Sequence, residues 1–191
     1  MSLKGKVAFF VTTNFHKFSE ARHVLAEHGV TAAMLRIEAI EIQNDNLEEI
    51  AEASVLDAVE KSGLPVLVED AGLFIDALKG FPGPYSSYVY RTLGTRGVLK
   101  LMEGTDKRNA YFYSVIAFHS PERVSPKCFH GKIEGKVTLK EQGNQGFGYD
   151  PIFEPRGGAG ITFAEMTTAM KNKLSHRAQA LRKFAVWYRS T

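Results

Sequence analysis

The sequence predicts an α/β domain arranged around a mixed β-sheet. Two observations carry this. Short apolar runs alternate with helical periods through the first seventy residues, and strand-like segments then crowd the middle before a closing helical stretch. The 191 residues, 44% of them hydrophobic, suffice for one sizeable core.

Val7 to Val11 is a Val- and Phe-rich run of the kind that forms a buried strand, and Thr12-Thr13-Asn14 ends it. Lys17 to Glu27 has helical spacing, with Phe18, Ala21 and Leu25 on one face, and Gly29 closes it. Ala33 to Ile42 reads as a second strand of mixed polarity. Leu47 to Lys61 reads as a helix carrying Ile50, Val55 and Val59, stopped by Ser62-Gly63. Pro65 to Val68 is a third buried strand that runs into Glu69-Asp70.

Gly72 to Leu78 alternates like a further strand, and Lys79 to Pro84 is a turn-rich loop. Tyr85 to Leu93 and Gly97 to Met102 read as short helices. Tyr111 to Phe118 and Lys127 to Leu139 read as strands, the second with a bend at Gly131 or Gly135. Gly143 to Pro155 has neither period. Thr162 to Glu165 has capping-box spacing, and Ser175 is placed to cap a final helix through Trp187. No repeat, low-complexity tract or linker divides the chain, which is read as a single domain, 1–191.

A net charge of only +3 argues against a protein that coats DNA. Apolar runs are far too short to span a membrane, so a soluble, cytoplasmic protein is expected. The lone Cys128 excludes an intrachain disulfide framework and fits a reducing compartment. Without a partner Cys or a CxxC it offers no zinc or redox motif. His16, His23, His28, His119 and His130 are scattered without metal-ligand spacing.

Four stretches carry candidate chemistry. Thr12-Thr13-Asn14-Phe15-His16-Lys17 lies between a strand and a helix, where backbone N–H groups and a Lys can hold phosphate oxygens. An ordinary helix cap with a surface Lys accounts for it equally well. Glu69-Asp70 follows a buried strand, where carboxylates suit Mg²⁺ or a general base acting on water. The acids Glu38, Glu41, Asp45, Glu48 and Glu49 surround a strand-to-helix passage, and one of them can join Asp70 on a metal. Gly146-Phe147-Gly148-Tyr149-Asp150-Pro151 offers aromatic faces for a planar base and an acceptor at Asp150, or else an aromatic turn packed in the core. Lys171-Asn172-Lys173-Leu174-Ser175-His176-Arg177 supplies donors for an anion or a base edge; taken alone it reads as a solvated basic turn.

Taken together and in order, TTNFHK, PVLVEDAGL, GFPGPYSSY, GFGYDPIF, TFAEM and KNKLSHRAQAL resemble the inosine triphosphate pyrophosphatase family, the XTP/dITP diphosphatases. The segments reach from residue 7 to about 184. The resemblance implies an elongated mixed sheet flanked by helices, with two lobes and an active-site cleft between them, usually in a homodimer. It implies Mg²⁺-dependent cleavage of ITP, dITP or XTP to the monophosphate and pyrophosphate.

By the same resemblance, Thr12 to Lys17 hold the triphosphate, with Asn14 and Lys17 the important side chains. Glu41 and Asp70 bind the metal. Asp70 also accepts the proton of the attacking water, supported by Glu69. Phe147, Gly148, Tyr149 and Asp150 form the base pocket, and Lys171, His176 and Arg177 complete recognition. Donors from His176 and Arg177 aimed at O6 favour inosine and xanthosine bases over adenine. Three positions depart from the common bacterial pattern: Ala71 stands where Ser is frequent, His16 where Gly is frequent, and Tyr149 at a commonly aromatic site. A pyrophosphatase for another modified nucleotide would share these features. A non-catalytic nucleotide- or RNA-binding module would use the same basic and aromatic residues, against which the modest charge counts.

Overall fold

Breakers and caps set the element boundaries. The computed structural model describes residues 5–191. Strand β1 (Lys6–Val11) leads into α1 (Phe15–Glu27), whose N-cap Asn14 accepts hydrogen bonds from the His16 and Lys17 N–H groups at 2.9 and 3.1 Å. β2 (Val30–Leu35) follows, and α2 (Leu47–Ser62) is capped by Asn46 and ended by Gly63 in the left-handed conformation. β3 (Val66–Ile75) is a ten-residue strand, and β4 (Pro82–Gly83) pairs antiparallel with it. Two short helices, α3 (Ser86–Thr92) and α4 (Gly94–Leu101), precede the long strands β5 (Asn109–His119) and β6 (Lys127–Val137). β7 (Phe153–Pro155), α5 (Thr168–Leu174) and α6 (His176–Ser190) complete the chain.

Among the described residues the strands form a seven-stranded mixed sheet of order β2-β1-β3-β5-β6-β7, with β4 added to β3. β1 pairs in parallel with β2 on one side and with β3 on the other. Its carboxyl end is therefore a topological switch point, the place where open α/β sheets collect ligands.

The chain divides into two compact units. Of the described residues, one comprises 5–70, 114–131 and 177–191; the other comprises 71–113 and 132–176. The first packs Ala21, Val24 and Leu25 of α1 and Leu181, Phe184 and Ala185 of α6 with Phe10, Leu67 and Ile116 of the strands. The second has its own aromatic-rich core, with Phe112, Phe153 and Phe163 beside Leu73, Ile75 and Ile152.

Several expectations are corrected. The second strand is Val30–Leu35, not Ala33 to Ile42, and residues 36–46 carry no regular structure. Pro65–Val68 and Gly72–Leu78 are not separate strands, because β3 runs unbroken through Glu69 and Asp70. These carboxylates therefore sit in mid-strand rather than at a strand end. The basic stretch at 171–177 is no solvated turn. It joins α5 to α6, and Lys171, Asn172, Ser175, His176 and Arg177 are all buried. Only Lys173 of its cations is exposed, as a solvated surface lysine should be. The capping box at Thr162 and Glu165 forms as read.

Candidate active site

In the first unit the site is built on the switch point. Register pairs Phe10 with Leu67, so the segment after Val11 runs alongside Glu69. Successive strand residues face opposite sides, which places Glu69 and Asp70 on opposite faces of β3. Glu69 points to the face covered by α1 and α6. Its side chain is fully buried, and the Lys17 ammonium lies 3.0 Å from Oε2 while also donating to the Glu69 carbonyl at 3.2 Å. Arg177 donates through Nε to Oε1 at 3.0 Å, and the Ser114 hydroxyl donates to the same oxygen at 2.8 Å. A second carboxylate, Glu20 of α1, pairs with Arg177 through Nη1.

Two carboxylates and two cations thus form a neutral, largely dry network, in which each charge is compensated. Burial alone pushes the Arg177 guanidinium down. Glu69 and then Glu20 outweigh that and hold it above its ordinary value. Asp70 and Ala71 are half-buried on β3.

The residues of 12–17 divide by what they touch. Thr12 accepts a hydrogen bond from the Asn14 N–H at 3.1 Å, and Asn14 caps α1, so both shape the turn itself. Thr13, Phe15 and His16 are exposed around that helix start, and Lys17 is the first-turn residue that reaches back to β3. Glu41 lies exposed in the irregular segment between β2 and α2.

The second unit holds the other candidates. Asp150 is buried, and its Oδ2 accepts both the Lys171 ammonium at 2.5 Å and the Phe147 N–H at 2.9 Å. That hydrogen bond needs the tight Gly146-Phe147-Gly148 turn. Gly146 and Gly148 adopt φ of 71° and 61°, and a Cβ on Gly146 would collide with the Asp150 carboxylate. The Lys171 ammonium sits over the Phe147 ring at 4.8 Å from its centroid and over Phe163 at 5.3 Å.

His176 stacks on Phe112, with ring centres 4.7 Å apart and planes 9° from parallel. Tyr149 is a packing residue. It is buried edge-on against Tyr90, its hydroxyl donates to the Ser86 carbonyl at 3.1 Å, and burial, followed by Tyr90, pushes its phenol upward.

The structure therefore gathers Lys17, Glu69 and Arg177 in one unit and Phe147, Asp150 and Lys171 in the other. Glu20 and Ser114 escaped the sequence reading. Glu20 lies on a helix face like any surface acid, and a lone Ser within an apolar strand gives no signal. Phe112, the platform beneath His176, was hidden in the apolar run of β5.

An open mixed α/β sheet with a buried carboxylate–cation network at its switch point is the class that fold and site define. Residues 8–187 match the Ham1 family model, and the chain belongs to the Ham1 family. It is 46% identical over 181 residues to the dITP/XTP pyrophosphatase of Methanopyrus kandleri, covering 95% of each chain. It is 47% identical to that of Thermococcus kodakarensis over 178 residues, covering 93% of this chain and 95% of the relative. The solved Ham1 protein of Coxiella burnetii superposes with a TM-score of 0.84 at 29% identity, covering 97% of this chain and all of that one.

Proposed function

We infer that this protein is a nucleoside triphosphate pyrophosphohydrolase that removes the non-canonical purine nucleotides dITP, ITP and XTP, yielding the monophosphate and pyrophosphate. The carrying observation is the Lys17–Glu69–Arg177 network set beside Asp70 at the switch point, in a chain about 46% identical to dITP/XTP pyrophosphatases over nearly its full length.

In this reading Asp70 is the general base. One of its carboxylate oxygens takes the proton of the attacking water as the water oxygen bonds to phosphorus and pyrophosphate leaves. Lys17 offsets triphosphate charge, and the α1 start with Thr12, Thr13, Asn14, Phe15 and His16 positions the phosphates. Glu69 holds Lys17 in place, while Arg177 and Ser114 fix Glu69, so Arg177 contributes through Glu69 as well as lying next to the base reader His176. Phe147, Gly148, Tyr149, Asp150, Lys171 and His176 form the base pocket, with Phe147 as the stacking face. Ala71 follows the base in β3.

The carboxylates of Asp70 and Glu41 are the hard oxygen donors that Mg²⁺ takes, usually one or two together with substrate phosphates. When bound, the ion masks triphosphate charge. We further read the chain as one catalytic domain, cytoplasmic and homodimeric. Among the described residues no helix is long and apolar enough to cross a membrane. Exposed Tyr85, Tyr88 and Leu93 around α3 give an apolar surface suited to a second copy.

Pyrophosphate release measured across dITP, XTP, ITP, GTP and ATP, with and without Mg²⁺, tests this. Fast turnover of the first three with Mg²⁺ is expected. Equal rates on all five would remove the selectivity, and no release from any would remove the reaction.

A further inference from the structure

We infer that Phe112 is a specificity-determining positioning residue: its ring fixes the plane of His176, and with it the direction in which His176 offers a hydrogen bond to the base. The inference rests on the base-reading role given to His176 above. Phe112 lies on β5 and His176 opens α6, and both belong to the second unit.

A ring N–H points outward in the plane of its ring, so the orientation of that plane sets where a histidine can donate. The torsion that turns the plane is broad, without the sharp wells of an aliphatic side chain. What the ring lies against therefore decides its angle. The imidazole of His176 lies flat on Phe112, with ring centres 4.7 Å apart and planes 9° from parallel. Hydrogen bonds weaken steeply once the donor angle falls below about 120°, so a tilt of about 60° from linear loses most of the bond. A donor held at one angle distinguishes an O6 acceptor from the amino group of adenine, whereas a donor that swings forfeits the difference.

Phe112 can hold that plane because its own ring is locked. Phe153 meets it edge-on at 4.7 Å and 69°, and Phe163 lies 6.1 Å away with planes 30° apart. Phe153 and Phe163 pack on each other at 5.4 Å, and both are fully buried. The Lys171 ammonium lies over the Phe163 ring at 5.3 Å. One aromatic block in the second unit thus carries His176 on Phe112 and Lys171 on Phe163. A leucine or methionine at 112 would fill much of the same volume but present no flat face.

The test measures kcat and KM for dITP and dATP in the intact protein and in Phe112→Leu, Phe112→Met, Phe112→Tyr, His176→Ala and the Phe112→Leu/His176→Ala double variant, with Tm recorded for each. Leu and Met both remove the flat face, so either one that unfolds cooperatively serves. In it the kcat/KM preference for dITP over dATP is expected to fall by about three- to tenfold, through a raised KM for dITP with kcat held within about twofold. Phe112→Tyr, which keeps the ring, should retain the preference. In the double variant the loss should equal that of His176→Ala alone. A preference unchanged in Phe112→Leu, while His176→Ala lowers it, overturns the inference and leaves the base-reading role standing. Losses that add in full, or a drop shared equally by both substrates, overturn it too, because Phe112 would then act as general packing. A preference unchanged in His176→Ala removes the base-reading role itself, and the inference with it.

Discussion

The two units each bury an ion pair, but they embed it differently. In the first, Glu69 is gripped by Lys17, Arg177 and the Ser114 hydroxyl, and Glu20 balances the spare charge of Arg177. In the second, Asp150 has Lys171 and one backbone N–H, and the cation lies against the rings of Phe147 and Phe163. The first carboxylate is held by two cations and a hydroxyl. The second is a charge pair framed by aromatic faces. In the function proposed above, the first surroundings serve the chemistry and the second the recognition of the base.

Substitutions can break or sharpen that contrast. The largest effect is expected from Asp70→Asn, which should lower kcat by about 10²–10⁴-fold with unchanged circular dichroism. Retained turnover would take the base role from Asp70. Arg177→Met should follow, costing about 3–5 kcal/mol in denaturant unfolding because Glu20 and Glu69 lose their shared partner while buried.

Lys171→Met is expected to cost less than the Arg177 substitution in the same assay, since the Phe147 N–H continues to hold Asp150. A larger loss would reverse the proposed ranking of the two networks. His176→Ala should reduce the kcat/KM preference for dITP over dATP by about tenfold, the worth of a hydrogen bond of about 1.4 kcal/mol. An unchanged ratio would leave His176 as packing against Phe112. Smallest is Asn14→Ala, expected to remove about 1 kcal/mol through loss of the α1 cap, read as a shift in Tm.

Where local chemistry was self-sufficient, the structure was legible from residues alone. β1 is an apolar run, α2 is stopped by Gly63, and the Thr162–Glu165 capping box is entirely local. Where burial was polar, the reading failed. α5 has no apolar stripe because its buried face is Lys171 and Asn172, so the 3.6-residue period had nothing to register on. β3 appeared to stop at Glu69 because carboxylates interrupt its apolar run. Their partners come from 52 and 108 positions away, beyond any local pattern.

His176 and Arg177 are consecutive at the start of α6, yet His176 belongs to the unit with the aromatic pocket and Arg177 to the unit with the carboxylate lattice. Adjacent helical residues diverge by about 100° at a spacing of about 3.8 Å, so a single peptide bond directs one side chain to each. Inserting one residue between them would swing either side chain by a quarter-turn or more. Natural length variation should therefore collect in loops such as 120–126 and stay out of 174–178.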